Sequence, residues 1–435
     1  MSDANCISSR ALNYVPQAPL FFDVLDDLWD PESNPDGIVN LGLAENSLMQ
    51  LELNEFLNSN FRASPHALTY GDGFTGSKRL KHAMCRFLNE NFKPVLPLQP
   101  AHLFVTPGVG NALECCAWSL FDPGDNVLVG RPYWSAFNYI FKIRAQVDVR
   151  EVSFGAIDPF SLEAVWEFEK EFNLATANSK VVKAILLCSP HNPLGRCYSE
   201  EVLKAYMRLC DKLDLHLISD EIYGLSVFEN PEMQDSVPFT SVLSLSAEGL
   251  MDPRKVHMQW GLSKDFGATG LRIGCLVSQF NPLFMKSLES FSLFNFPSSL
   301  ADGVIACLLS NEAYTQRYVS TYRKRLAESY AHTTKFCREH GIPYKEANAA
   351  LFLMINLGAV VQDKTLTDHD ISAILRTKKV YITAGSGYRT EHPGWFRVVI
   401  AHSMPVLDEG LNRIVQALLP RPVAILEPAP IGATR

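Results

Sequence analysis

The sequence lacks the features that mark nucleic-acid-binding and membrane proteins. Positive charge is not in excess, because 39 Lys and Arg stand against 47 Asp and Glu and the net charge is -8. A general nucleic-acid binder would instead show a basic face. No apolar run is long enough to span a bilayer, and residues 1–10 lack the apolar stretch of a signal peptide. We therefore expect no nucleic-acid partner, no membrane partner and a cytoplasmic location.

Metal-binding and disulfide patterns are missing as well. The ten cysteines are scattered, mostly within apolar runs, and no Cys/His group has the spacing of a zinc site. We interpret them as reduced core residues of an intracellular protein. No internal repeat is visible. The sequence predicts neither a disulfide framework nor a metal centre.

The middle of the chain alternates between short apolar runs and helix-like segments. Such alternation predicts an α/β fold, with a mainly parallel mixed sheet between helices. Ligands of these folds bind at the carboxyl ends of the strands. Helices are predicted over 110–121 and 199–213, and buried strands over 103–106, 126–129, 182–189, 215–220, 256–260 and 273–278.

The two ends of the chain differ from this middle part. A long charged helical stretch covers 311–340, and strand-like runs follow at 351–357 and 395–401. We predict a large domain over 62–310 and a smaller α+β domain built from 1–61 and 311–435. The proline-rich segment 420–430 is predicted to be a loose tail.

The most informative motif is Ser263-Lys264-Asp265, which lies in a turn of small residues. A partly buried lysine loses its proton readily and can form a Schiff base with an aldehyde cofactor. Arg272, eight positions later, could hold a phosphate on that cofactor. Taken alone, an ordinary exposed lysine is the commoner reading.

Two further motifs follow predicted strands. Residues 106–111 include Gly108, Val109 and Gly110 and open a helix, so their backbone N–H groups could face an anion. A plain tight turn explains this pattern about as well. Trp134 follows the next strand and could stack on a planar ring, although core packing is the simpler reading.

Polar residues end the next two predicted strands. Asn192 lies between two prolines, which favours a rigid amide that can donate to a phenolate oxygen. Asp220 ends a buried strand, where a carboxylate needs a cation such as a protonated pyridine nitrogen. Tyr223, three positions on, could donate to the same oxygen as Asn192. Helix capping is the alternative for Asp220.

Taken in this order, the motifs resemble the fold-type I enzymes that depend on pyridoxal 5′-phosphate (PLP), the aspartate aminotransferase superfamily. The resemblance covers residues 38–407 and is nearest to 1-aminocyclopropane-1-carboxylate (ACC) synthases. The motifs that carry it are GLAEN at 42–46, NPLG at 192–195, SKD at 263–265 and PGWFR at 393–397.

The resemblance implies a role for each cofactor-binding residue. Lys264 would form the Schiff base with PLP, and Asp220 would pair with the pyridine nitrogen. Asn192 and Tyr223 would hold the 3′ oxygen, and Trp134 would stack on the ring. The residues around the phosphate would be Val109, Gly110, Ser263 and Arg272.

The substrate side is implied in the same way. Arg397 would bind the α-carboxylate, and Glu45 would lie near the sulfonium end of S-adenosylmethionine. The sequence departs from the family at two points: Gly261 stands where a phosphate-binding serine is common, and Phe74 stands where ACC synthases carry a tyrosine that reaches the neighbouring subunit. Tyr70 is close enough in sequence to substitute for that tyrosine. The resemblance also implies a homodimer.

We therefore expect an ACC synthase-like lyase that removes the Cα proton of S-adenosylmethionine or a related sulfur-bearing amino acid. An aminotransferase is the first alternative, and a carbon–sulfur lyase or γ-replacement enzyme of specialised metabolism is the second. A PLP-sensing transcription regulator is disfavoured, because the chain has neither room for a DNA-binding module nor a basic patch.

Overall fold

The computed structural model of the protein describes residues 6–15 and 22–419. Its strands, in chain order, are β1 Val39–Asn40, β2 Leu103–Thr106, β3 Asn126–Gly130, β4 Asp148–Val152, β5 Val182–Cys188, β6 His216–Asp220, β7 Val256–Gly261, β8 Gly274–Val277, β9 Phe352–Asn356, β10 Val380–Tyr381, β11 Thr383–Ala384 and β12 Trp395–Val399.

The helices complete the set of regular elements. In chain order they are α1 Ser9–Leu12, α2 Phe22–Asp26, α3 Gln50–Asn60, α4 Lys78–Phe92, α5 Val109–Leu120, α6 Ala136–Lys142, α7 Leu162–Ala177, α8 Glu200–Leu213, α9 Leu262–Asp265, α10 Pro282–Ser292, α11 Ser299–Leu309, α12 Glu312–Glu339, α13 Asp368–Thr377 and α14 Met404–Leu418.

The central sheet has seven strands in the order β2-β8-β7-β6-β5-β3-β4. Only β8 runs antiparallel to its neighbours, and the other pairs are parallel. The predicted mainly parallel sheet is therefore confirmed. The sequence pattern missed β4 because this edge strand carries charges at Asp148, Arg150 and Glu151 and buries only Val152 completely.

Helix α8 shows how local sequence sets the boundaries of a covering helix. The hydroxyl of Ser199 accepts a hydrogen bond from Val202 N at 3.3 Å, and Glu200 and Glu201 occupy the first turn. The serine hydroxyl thus gives a partner to a backbone amide that has none within the helix, and the two carboxylates interact favourably with the positive end of the helix dipole. The helix ends at Asp214, which adopts a left-handed conformation.

The C-terminal third forms its own antiparallel sheet, in the order β11-β12-β9. The N-terminal strand β1 pairs with β10 in parallel, so residues from the start of the chain lie against this region. The division into domains at 61/62 and 310/311 stays a prediction, and the predicted tail at 420–430 lies outside the described residues. Across 6–15 and 22–419, no helix is both long and apolar enough to cross a membrane.

The register of the sheet places three polar positions at one edge. Cys188 is paired with Asp220, and Asp220 is paired with Gln259. Since β5, β6 and β7 are parallel, their carboxyl ends meet at this edge, where ligands of such sheets bind. Lys264 follows β7 directly in the short helix α9.

Candidate active site

Lys264 lies at the centre of a group of charges drawn from distant parts of the chain. Its side chain is half-buried, and Nζ donates a hydrogen bond to the carbonyl of Ala44. Burial lowers the pKa of Lys264 to about 8, with a further lowering by Arg397 and Arg272. Glu45 and Asp220 act in the opposite direction. The lysine can therefore lose its proton near neutral pH, as the chemistry of a nucleophilic amine requires.

The backbone around Lys264 is held by the N-terminal segment. Asn46 is buried, and its Nδ2 donates to the Lys264 carbonyl oxygen at 3.0 Å. The following turn needs Gly267, since a Cβ there would lie 2.2 Å from Asn46 O. Sequence reasoning assigned no role to Asn46, although it stands in the GLAEN motif. Its position in that motif was the available signal.

Asp220 ends β6 as a buried carboxylate. Within the described residues, its side chain accepts one hydrogen bond, from Ile222 N to Oδ1 at 3.2 Å. Burial raises the pKa of Asp220 to about 7, against the opposing effects of that hydrogen bond and of Lys264. A cation placed beside this carboxylate would restore its ionised form.

The amino end of α5 faces Arg272 across a tight turn. Gly108 caps the helix with φ 86° and ψ 164°, and a Cβ on it would lie 2.4 Å from Arg272 Nη2. That nitrogen donates to Pro107 O at 3.3 Å. The first-turn amides of Val109 and Gly110 have no partner within a helix. An anion at this point would meet backbone donors and a guanidinium together.

Ser263 and Gly261 lie close to the same turn. Ser263 is buried and its carbonyl accepts a hydrogen bond from Thr269 Oγ1 at 2.9 Å. A Cβ at position 261 would lie 3.0 Å from Gly274 Cα and 3.1 Å from Val109 Cγ2. These contacts are tight, so the close approach of β7 and β8 explains why glycine, and not serine, occupies position 261.

Arg397 is a buried cation with two of its three nitrogens engaged. Nη1 donates to Asn192 Oδ1 at 3.0 Å, and Nη2 donates to Gly42 O at 2.7 Å. Nε has no partner in the described structure. The rings of Phe352 and Tyr388 each lie 4.7 Å from the guanidinium carbon. A planar carboxylate can complete this site through a charge-assisted pair of hydrogen bonds.

Asn192 and Tyr223 are both neighbours of the Arg397 site, since Asn192 binds Arg397 directly and Tyr223 packs on Phe352, which also contacts Arg397. The hydrogen bond to Arg397 occupies the amide oxygen of Asn192 and leaves its Nδ2 donors for another acceptor. Tyr223 is buried and meets the Phe352 ring edge-on at 5.4 Å. Burial raises the pKa of Tyr223 well above its usual value, so the phenol keeps its proton.

The remaining predicted residues are more exposed. Trp134 is 37% exposed, and its ring meets that of Phe137 edge-on with the centroids 5.5 Å apart. Tyr70 is 73% exposed and packs with Phe74 and Phe296 in an aromatic cluster. The structure does not bring Tyr70 and Phe74 to the Lys264 group within one chain.

Tyr388 is a second residue that sequence reasoning missed. It is buried beside Arg397, and its carbonyl accepts a hydrogen bond from Tyr133 N at 2.9 Å. The turn that carries it therefore links the segment before Trp134 to the Arg397 region. No spacing rule signals such a residue, because its role depends on how the turn between β11 and β12 packs beside Arg397.

A separate apolar cavity lies away from these residues. Its volume is about 490 Å³, and its lining includes Val242, Leu245, Met251 and Val256. None of the predicted site residues lines it. The convergence of charged and polar groups at the strand ends, and not cavity size, marks the candidate active site.

Comparison with known proteins assigns the family. The model for "Aminotransferase class I and II" matches residues 37–414, so the chain belongs to this family of PLP-dependent enzymes. Similar proteins include "Probable aminotransferase sirI" of Leptosphaeria maculans, with 32% identity over 91% of this chain and 94% of the relative. Another is 1-aminocyclopropane-1-carboxylate synthase 2 of Cucurbita pepo, with 30% identity over 88% of this chain and 79% of the relative.

Solved structures share the fold. A double mutant of Thermus thermophilus aspartate aminotransferase superposes with a TM-score of 0.72 at 21% identity, covering 95% of this chain and 99% of that chain. The aromatic aminotransferase of Pyrococcus horikoshii OT3 has a TM-score of 0.67 at 20% identity, covering 91% and 97%. At these identities the similarity establishes the fold, which is that of the fold-type I PLP enzymes.

The residues present fit PLP. Asp220 is a buried carboxylate that lacks a cation at hydrogen-bond distance among the described residues, and a protonated pyridine nitrogen would supply one. The Gly108 turn and Arg272 leave a cradle that a Cβ would fill, which suits a phosphate. Lys264 lies close enough to Asp220 and Arg272 for both charges to shift its pKa.

Proposed function

We propose that the protein is an ACC synthase-like lyase that acts on S-adenosylmethionine or a related sulfur-bearing α-amino acid. The observation that carries the proposal is the convergence of Lys264 and Arg397 on the segment that holds Glu45: Lys264 Nζ donates to the Ala44 carbonyl, and Arg397 Nη2 donates to the Gly42 carbonyl at 2.7 Å. This set combines a base, a carboxylate-binding cation and an anion that can face a positive sulfur.

The cofactor residues divide into three groups in this proposal. Asp220 holds the pyridine nitrogen, and Asn192 and Tyr223 hold the 3′ oxygen while Trp134 covers the ring. The phosphate lies against Val109, Gly110, Ser263 and Arg272. Bound PLP, attached through Lys264, supplies an electron sink for the electrons left when a bond to Cα breaks.

The protein's own groups then position the substrate and move its proton. Arg397 binds the α-carboxylate in a planar, bidentate manner, held in place by Asn192 and Gly42. Lys264, once released from the cofactor, removes the Cα proton as a general base. About half of its amine is neutral at pH 8, because burial and the two arginines lower its pKa to about 8.

Glu45 supports a sulfonium substrate. Its carboxylate lies near enough to Lys264 to oppose the lowering of that residue's pKa, and a sulfonium would be attracted to the same charge. With S-adenosylmethionine, the electron pair at Cα displaces methylthioadenosine from Cγ and closes a three-membered ring. The Cα proton is first held by Lys264 and is later released to solvent.

An aminotransferase is the second candidate, and the relatives named as aminotransferases support it. The phenylalanine at position 74 supports it too, because a phenolic contact at the substrate end is missing there. In this case the proton removed from Cα would be returned to a carbon of the cofactor, water would release the substrate as a 2-oxo acid, and the amino group would stay on the cofactor for transfer to a second 2-oxo acid.

Product analysis separates the candidates. Purified holoenzyme is mixed with S-adenosylmethionine, and methylthioadenosine and ACC are measured by chromatography. We expect both in equal amounts, with a large loss in Glu45→Gln but an unchanged absorption band of the bound cofactor. A 2-oxo acid from a common amino donor, with neither product present, would establish transamination instead. A thiol released from a cysteine or homocysteine conjugate would identify a carbon–sulfur lyase.

We also propose a homodimer. Leu68 is 82% exposed and Phe294 is 94% exposed, and both adjoin in sequence the cluster of Tyr70, Phe74 and Phe296. Large exposed apolar groups of this kind mark association surfaces. A second copy of the chain would cover them and could carry Tyr70 toward its partner's Lys264.

A further inference from the structure

Asp265 follows Lys264 directly and is almost completely buried. Its carboxylate collects three hydrogen bonds. Oδ2 accepts from Trp260 Nε1 at 2.9 Å and from Leu225 N at 3.1 Å, and Oδ1 accepts from Ser226 Oγ at 2.5 Å. The proposed mechanism uses none of these contacts.

The network continues into the long helix α12. Ser226 Oγ accepts a hydrogen bond from Tyr322 OH at 2.8 Å, and Phe266 stacks on Tyr318 with ring centroids 4.8 Å apart. Asp265 therefore joins three elements: the end of β7, the segment that follows Tyr223, and α12. Asp265 holds the lysine turn to β7 and to the Tyr223 segment directly, and it adds a link to α12 through Ser226 beside the Phe266–Tyr318 stack.

The influence of Asp265 on Lys264 is geometric. The charges that shift the pKa of Lys264 are those of Arg397, Glu45, Arg272 and Asp220, and Asp265 is not one of them. Its carboxylate accepts hydrogen bonds from Trp260 and Ser226, whereas the lysine amine donates to the Ala44 carbonyl. It can alter the reaction only by changing where the lysine backbone stands.

We propose that Asp265 is a positioning residue for proton transfer, which fixes the Lys264 backbone against β7, the Tyr223 segment and α12. The inference rests on the proposed role of Lys264 as the base, and it does not depend on the leaving group. A base displaced by about 1 Å loses on the order of 100-fold in rate, so the network has a measurable effect on the proton-transfer step alone.

The test measures exchange of the substrate Cα proton with D2O in the holoenzyme, using alanine and S-adenosylmethionine as probes. Asp265→Asn keeps the shape but replaces one acceptor oxygen by a donor, which opposes the Trp260, Leu225 and Ser226 donors. We expect a fall in the exchange rate of about 10- to 100-fold, with the cofactor absorption band retained. The KM should change little, because Arg397 is untouched.

Two further variants keep the test sharp. Tyr322→Phe removes the far end of the network while Ser226 still donates to Asp265, so it should lower exchange in the same direction but less. Asp125→Asn is the matched control, because Asp125 is also a buried carboxylate. It lies just before β3 and accepts a hydrogen bond from Asp122 N at 2.9 Å. It should leave exchange per folded molecule unchanged.

The outcomes are distinguishable. Wild-type exchange without methylthioadenosine or ACC would overturn the proposed lyase while leaving the role of Asp265 open to this same comparison. Asp265→Asn that exchanges at the wild-type rate with its absorption band intact would overturn the inference. So would a rate loss explained by the unfolded fraction alone. Absence of exchange in the wild type would overturn both claims.

Discussion

At the residue scale, Arg397 illustrates how a buried cation is kept ready for a ligand. The rings of Phe352 and Tyr388 both pack against its guanidinium, Asn192 accepts a hydrogen bond from Nη1, and Gly42 accepts one from Nη2. The guanidinium plane is thereby fixed before any substrate arrives. Binding then loses little side-chain entropy, which is the advantage of a pre-organised fork over a flexible ammonium.

Replacement of Arg397 by lysine tests this arrangement. Arg397→Lys keeps the charge but loses the planar fork, so we expect the KM for amino-acid substrates to rise by about 10- to 100-fold, as the loss of one charge-assisted hydrogen bond of about 1.5–3 kcal/mol implies. The measurement is steady-state kinetics alongside the absorption band of the bound cofactor. A lost band with unchanged KM would contradict the assignment.

Glu221 gives a pH-dependent prediction. It is fully buried. Its Oε1 accepts hydrogen bonds from Ser219 Oγ and Val242 N, each at 2.9 Å. Its Oε2 has no hydrogen-bond partner in the described structure. Burial raises the pKa of Glu221 to about 8. The folded state therefore holds a proton that the unfolded chain, with a carboxyl pKa near 4.3, releases. Its contribution to stability is complete below about pH 4.3 and is lost as pH rises through 8.

Glu221→Gln carries no such proton. The free energy of unfolding of the variant, relative to wild type, should therefore increase between pH 6 and pH 8.5. Urea unfolding of both holoenzymes at the two pH values measures this difference. Asp220 has a raised pKa in both proteins, so its contribution largely cancels. An unchanged difference between the two pH values would show that Glu221 is already ionised in the folded protein.

At the element scale, the turn before α5 makes a prediction with an internal control. Gly108 has φ 86° and lies against Arg272, whereas Gly124 has φ 93° and has no atom within 4 Å of a Cβ. Alanine at either position adopts a backbone conformation that costs on the order of 1–3 kcal/mol. Only Gly108→Ala also displaces the guanidinium.

We expect both variants to lose stability in urea unfolding but only Gly108→Ala to lose affinity for PLP. One displaced charge-assisted contact corresponds to a Kd increase of at least about tenfold. Spectroscopic titration of the apoprotein with PLP measures it. Equal PLP affinity in the two variants would remove Arg272 and this turn from the phosphate site.

The same scale shows what sequence patterns can and cannot predict. Buried strands such as β5 and β7 are nearly continuous apolar runs, and a capped amphipathic helix such as α8 carries its own boundary signals. The edge strand β4 is charged on its exposed side and gives no such signal. Asp220 was predicted because it ends a buried strand, and Lys264 because it lies in a turn of small residues eight positions before Arg272.

The contacts that complete the candidate site were not predictable in this way. Asn46 reaches the Lys264 carbonyl across 218 positions of the chain, and Tyr388 reaches Arg397 through the packing of the turn between β11 and β12. Local propensity carries no information about such pairs, because they are set by tertiary packing. The glycine at 261 is similar: its reason, the close approach of β8, exists only in the folded protein.

At the scale of the whole molecule, the exposed apolar groups predict self-association. Phe294→Glu places a charge where a second copy would cover Phe294, so we expect the variant to sediment as a monomer while the wild type sediments as a dimer. Trp166→Glu is the control, because Trp166 is 63% exposed on α7, in another part of the sequence. A dimeric Phe294→Glu variant would place the interface elsewhere.

The contact between Arg397 and Gly42 has a consequence for how the protein is made. The guanidinium binds a carbonyl 355 residues earlier in the chain. At ribosomal rates of about 5–20 residues per second, on the order of 20–70 s separate the synthesis of the two. During that interval the GLAEN segment at 42–46 has been synthesised but Arg397 has not. If Arg397 binds the substrate carboxylate as proposed, this binding site is completed only after Arg397 has been translated, and a chain that stops before Arg397 would lack it however well its central sheet has folded.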